Sequence, residues 1–122
     1  MPMTKIYKIR VSVLIVQEED CFVAYCPALE LSSYGNTEDE AKKSFDEAMG
    51  IFLRETERKG TLEKVLLALG WTLKQKPSFK YQPPELSYKN LRALRQAKRI
   101  LRNTVPIPFT FAQRGMSYAS SH

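Results

Sequence analysis

Hydrophobic and polar positions alternate from the start of the chain. Ile6, Lys8, Arg10 and Ser12 fall on one parity; Tyr7, Ile9, Val11 and Val13 fall on the other. That pattern, rich in β-branched residues, predicts a strand over 6–16 with one buried face. Gln17, Glu18, Glu19 and Asp20 mark a turn. A second strand is expected over 21–26, stopped by Pro27, which cannot donate to a ladder. The short gap implies an antiparallel hairpin. Residues 29–34 read as a third, shorter strand, ended by Gly35 and Asn36.

The period then changes. Thr37 with Glu40 three residues later forms a capping box, and Glu38, Asp39 and Glu40 suit the positive end of a helix dipole. Ala41, Phe45, Ala48, Met49 and Phe52 follow as a helical stripe, and Gly60 is a natural stop. A shorter helix is expected from Thr61, with Leu62, Val65, Leu66 and Leu69 on one face and Gly70 at its end. Trp71, Thr72 and Leu73 are β-prone and could return as another strand. Residues 74–86 read as a Pro-rich basic linker. Ser87 is a candidate cap for a helix to about Asn103, with Leu91, Leu94, Ala97 and Leu101 as a narrow apolar stripe. Lys89, Arg92, Arg95, Lys98, Arg99 and Arg102 cover much of the rest of that helix. The residues beyond, with Pro106 and Pro108, are expected to be irregular. The organisation expected is thus an α+β domain over 1–73, a linker over 74–86, and a basic helix with an irregular tail over 87–122.

Charge sharpens that division. The chain of 122 residues carries a net +6. Residues 1–73 hold nine cations and twelve acids, net −3; residues 74–122 hold ten cations and one acid, Glu85, net +9. Such asymmetry marks a tail that contacts nucleic acid, an acidic partner or its own domain.

Composition excludes several classes of chemistry. The one histidine is the terminal His122, which rules out a folded Ser-His-Asp triad or a His-rich metal site. Two cysteines make no disulfide scaffold and suggest a reducing compartment. Cys21 and Cys26 fall on opposite parities of one strand and read as structural thiols. Asp20, Glu30, Asp39, Glu40, Asp46 and Glu47 read as turns, a helix start and a solvated face rather than a Mg²⁺ site. No catalytic residue, metal or cofactor is therefore expected. No apolar run approaches the ~20 residues that span a bilayer. No signal-peptide pattern opens the chain, so a cytoplasmic protein is expected.

Two segments carry a resemblance to a known family. Phe22-Val23-Ala24-Tyr25-Cys26-Pro27-Ala28-Leu29 resembles the "Y-V-A-x-x-P-x-L" segment of the HicB antitoxins. Tyr34-Gly35-Asn36-Thr37-Glu38-Asp39-Glu40-Ala41 resembles their "x-G-D-T-x-E-E-A" turn into the main helix. The resemblance covers residues 5–73. Its motif residues have architectural jobs: Pro27 ends a strand, Gly35 takes a backbone conformation that side chains disfavour, Thr37 and Glu40 cap the helix, and Ala41 allows close approach of helix to sheet.

The resemblance implies a partial ribonuclease-H-like fold without nuclease chemistry. It implies a non-enzymatic antitoxin of a type II toxin–antitoxin pair. The partner would be a HicA-like toxin, a small basic mRNA nuclease, and the acidic body would complement its RNA-binding surface. Members of the family also carry a C-terminal helix-turn-helix or ribbon-helix-helix. Residues 74–122 offer one helix, which fits neither. The region around Glu19, Asp20 and Cys21 also lacks the family's glycine-rich turn. The alternative is a stand-alone HicB-like regulator that binds DNA or RNA through the basic helix. A homodimer is expected from exposed sheet edges, and no membrane contact.

Overall fold

The alternating N-terminal segment forms one long strand, β1 (Thr4–Glu18). The computed structural model describes residues 4–74, 80–85 and 91–110. The elements that follow are β2 (Cys21–Cys26), β3 (Leu31–Gly35), α1 (Glu38–Lys59), α2 (Leu62–Ala68), β4 (Thr72–Lys74), β5 (Lys80–Gln82), α3 (Leu91–Gln96) and β6 (Ala97–Thr110). The class is α+β. Four antiparallel strands make one sheet in the order β3-β2-β1-β6, and β4 and β5 form a separate two-stranded sheet.

The two parities of β1 meet different surroundings. Ile9, Val11, Val13 and Ile15 are no more than 7% exposed and face α1 and α2. Ala24 and Cys26 of β2, Val105 and Ile107 of β6, and Ala41, Phe45, Met49, Leu62, Leu66 and Trp71 complete that core. On the other parity, Ile6, Lys8 and Arg10 are exposed. Leu14 and Val16 share that parity yet are buried. α3 packs against β1 and leaves the sheet where Ala97 pairs with Val16, so it lies over this end of the second face.

α1 starts as its sequence dictates. Thr37 is extended, and its Oγ1 accepts from Glu40 N at 3.1 Å. Glu40 Oε2 reaches back to Asn36 N at 2.8 Å, one residue before the cap. Gly60 ends the helix in the left-handed region (φ 69°), where a side chain would be disfavoured. Gly35 does not take the disfavoured backbone conformation expected of it; it is required because a Cβ there would sit 2.3 Å from Ala41 N and 2.6 Å from Glu40 C. The first turn of α1 thus crosses the end of β3 at backbone contact. Gly35→Ala is expected to destabilise the protein by about 2–3 kcal/mol, because the clash is with backbone that cannot rotate away. Urea unfolding checks this: the midpoint should fall with the slope unchanged.

Two expectations are corrected at the C-terminal end. Among the described residues, the helix expected over 87–103 is present as α3, and the chain from Ala97 is a strand. The residues from Asn103 to Thr110, expected to be irregular, continue it. Leu101, Asn103, Val105 and Ile107 alternate with Arg102, Thr104 and Pro106, and pairing with thirteen residues of β1 selects that period over the helical one. Pro106 and Pro108 pair with Lys8 and Ile6. They share one parity on the edge strand of the sheet, the position at which a sheet tolerates proline. The expected linker also contains structure, since β4 and β5 pair across it. Ser87 and Lys89 lie outside the described residues.

Candidate interaction surfaces

The sheet separates two surfaces of opposite character. α1 and α2 together carry eight acids and six cations. On α1, Asp39, Glu40, Asp46 and Glu47 are exposed. Where α1 meets the β3 edge there is a depression of about 400 Å³, lined by Cys21, Tyr34, Gly35, Asn36, Glu40, Lys43, Ser44 and Glu47. Tyr34, 62% exposed, is among its lining residues with Glu40 and Glu47, and its register with Val23 and Val16 sets its side chain on the sheet face away from α1. Four of the motif residues that the HicB resemblance picks out build this corner, while Pro27 lies at the other end of β2. Gly35 brings strand and helix together, and Thr37, Glu40 and Ala41 start the helix there.

The opposite face is basic. Lys8 and Arg10 project from β1, and Arg102 of β6 pairs with Ser12, so it lies on the same face, diagonal to Arg10. The segment Pro83-Pro84-Glu85 runs alongside. A depression of about 840 Å³ between this segment and β1 is lined from both parities of the strand, by Lys8, Ile9 and Arg10, and by Gly70, Thr72, Gln82 and these three residues. A smaller one, about 290 Å³, is lined by Arg10, Ser12, Pro27, Arg102 and the same three. Arg92 and Arg95 of α3 are exposed toward the Val16 end of β1.

The cations expected on one helical face are therefore dispersed. Arg92 and Arg95 stay helical, whereas Lys98, Arg99 and Arg102 sit on β6. Lys98 is the extra residue of a bulge, since Ile15 pairs with Arg99 and Val16 with Ala97. Its Nζ lies 5.8 Å from the centre of the Phe22 ring. Arg99 Nε donates to Glu38 Oε1 at 3.2 Å, tying β6 to the start of α1. Lys42 Nζ bridges Asp46 Oδ1 at 2.7 Å and Asn103 Oδ1 at 3.2 Å, a second tie between the same elements. Lys8 and Arg10 join Arg102 without having been singled out from the sequence. Their signal was the polar parity of the first strand.

Pro27 closes β2 and starts the turn to β3, in which Glu30 adopts a positive φ of 49°. Trp71 Nε1 donates to Ala28 O at 2.8 Å and fastens this turn to the end of α2. Both cysteines are free, Cys26 buried and Cys21 half-buried. Burial pushes the Cys26 thiol above its ordinary value, only partly offset by hydrogen bonds from the Leu29 and Ala28 backbone. A thiol raised on folding stabilises the fold fully below pH 9.0, its ordinary value, and that contribution is lost above it. Native protein at pH 8 should therefore be alkylated at Cys21 long before Cys26; mass mapping of a timed iodoacetamide reaction checks the order.

Among the described residues, no group of three or more His, Cys, Asp or Glu side chains is placed to hold a metal ion. No helix among them is long and apolar enough to cross a membrane. Compared with protein-family models, curated proteins and solved structures, the chain matches none.

Proposed function

We propose that the chain is a non-enzymatic binding module, an antitoxin that neutralises a small basic mRNA-degrading toxin of the HicA kind. The observation that carries this reading is the corner where α1 crosses β3. A recess lined by Glu40 and Glu47, with the exposed Tyr34 on the β3 edge that borders it, is the chemistry that receives an arginine or lysine from a basic partner. The second motif segment of the HicB resemblance, residues 34–41, builds this corner, which supports the same reading. So does the order of elements, a three-stranded antiparallel run followed by a long helix on one face. We read it as the partial ribonuclease-H-like arrangement of that family. Cells that express the neighbouring toxin should arrest, and co-expression of this chain should restore growth. Arrest that persists, with no complex recovered, refutes the reading.

The second reading, a stand-alone regulator acting through a basic helix, loses its helix to β6.

A further inference from the structure

We propose that the face of the sheet opposite α1 binds the sugar–phosphate backbone of single-stranded nucleic acid. It is a different surface from the toxin-binding corner, so either proposal can fail without the other. Lys8, Arg10 and Arg102 come together here from chain positions more than ninety residues apart. Among the described residues, no ion pair engages them, whereas Lys42, Arg58, Lys59 and Arg99 each meet a carboxylate. Glu85 is the acid that lines these depressions. Concentrated positive potential along a groove is what draws a polyanion.

Shape selects the class of polyanion. The two depressions adjoin at Arg10, Pro83, Pro84 and Glu85, and between them their linings cover β1 from Lys8 to Ser12. An extended strand can lie along such a row of depressions. A duplex read through its major groove calls for a helix or ribbon that enters it, and α3 has six residues. The lining among described residues holds no aromatic side chain. Recognition is therefore of phosphates rather than stacked bases. Exposed Ile6 and Ile100 lie on the same face and offer apolar contact to the sugars.

Backbone recognition has a measurable signature. Fluorescence anisotropy with a labelled oligouridylate of about 16 nucleotides should show affinity falling with salt. The logarithmic slope should be about −0.7 for each phosphate contacted, so about −2 for the three central cations. The double substitution Arg10→Gln with Arg102→Gln should reduce the slope by about 1.4. The double substitution Arg58→Gln with Lys59→Gln, on the helix layer, should leave it unchanged. Equal urea midpoints for both variants and the parent establish that the fold is intact. A flat salt dependence, or a slope untouched by the Arg10 and Arg102 changes, overturns the proposal. So does a duplex of the same length bound as tightly. Displacement by polyglutamate at equal charge concentration also overturns it, and points to an acidic protein instead.

Discussion

A chain ended at Leu73 should fail to show a cooperative unfolding transition. The segment up to Leu73 holds both motif segments of the HicB resemblance, the long helix and most of the apolar stripes. Yet β2 pairs with β1 only from Leu14 to Glu18, whereas β6 pairs with it from Thr4 to Val16. Removing β6 strips the only ladder partner that the described residues give to the first half of β1. It also deletes Val105 and Ile107, both 0% exposed, from above Ile9 and Tyr7. Ile9 and Val11 would then face water, at about 1.5–3 kcal/mol for each large aliphatic side chain uncovered. A domain of roughly 70 residues has only about 3–5 kcal/mol in hand, so these losses exceed its stability. Circular dichroism through a urea titration gives the answer. The full chain should show one sigmoidal transition, and the truncated chain a gradual drift. A sharp transition in the truncated chain would mean that residues 1–73 are a domain and β6 is an accessory.

The second large effect is expected at Trp71. Its side chain is 2% exposed. It fills the space below α2, and its Nε1 hydrogen bond to Ala28 O spans 43 residues of sequence. Trp71→Ala removes the largest buried side chain and leaves that carbonyl without its donor. A loss of about 3–5 kcal/mol follows from the cavity alone. Trp71→Phe separates the two contributions: it keeps most of the volume and loses the hydrogen bond, at about 1–3 kcal/mol. Denaturant midpoints read by circular dichroism measure both, since Trp71 is the chain's single tryptophan and its own fluorescence disappears with it. Equal losses for the two substitutions would mean that the Ala28 carbonyl, not the packed ring, carries the stabilisation.

Local signals in this chain read true, and long-range ones did not. The capping residues Thr37 and Glu40, the stop at Gly60 and the parity of Ile9, Val11 and Val13 act within a few residues of themselves. They announce the sheet and the helix layer directly. β6 was hidden because Leu91, Leu94 and Leu101 fit a helical stripe, while Leu101, Val105 and Ile107 equally fit a strand. Only a partner ninety residues earlier decides between them. The prolines at 106 and 108 looked like breakers because the sequence does not show that they lie on a sheet edge.

The candidate surfaces divide in the same way. The Tyr34 corner was partly legible, since Gly35, Thr37, Glu40 and Ala41 stood in one segment. Tyr34's exposure and the approach of Glu47 needed the fold. The basic face was not legible, because Arg10 and Arg102 become neighbours only when β1 and β6 pair. The sequence did show the positive charge of residues 74–122, but assigned it to a helix. Folding instead spends Lys98 and Arg99 on contacts to Phe22 and Glu38 and leaves Arg102 to the open face.

Calorimetric titration of this chain with the product of the adjacent open reading frame, the proposed toxin, tests the central claim most directly. A tight complex that abolishes RNA cleavage is expected. Its affinity should fall about 30-fold on Tyr34→Ala, fall further on adding Glu47→Arg, and stay unchanged on Arg10→Gln with Arg102→Gln. No heat of binding, or a complex indifferent to Tyr34 and Glu47, would contradict it.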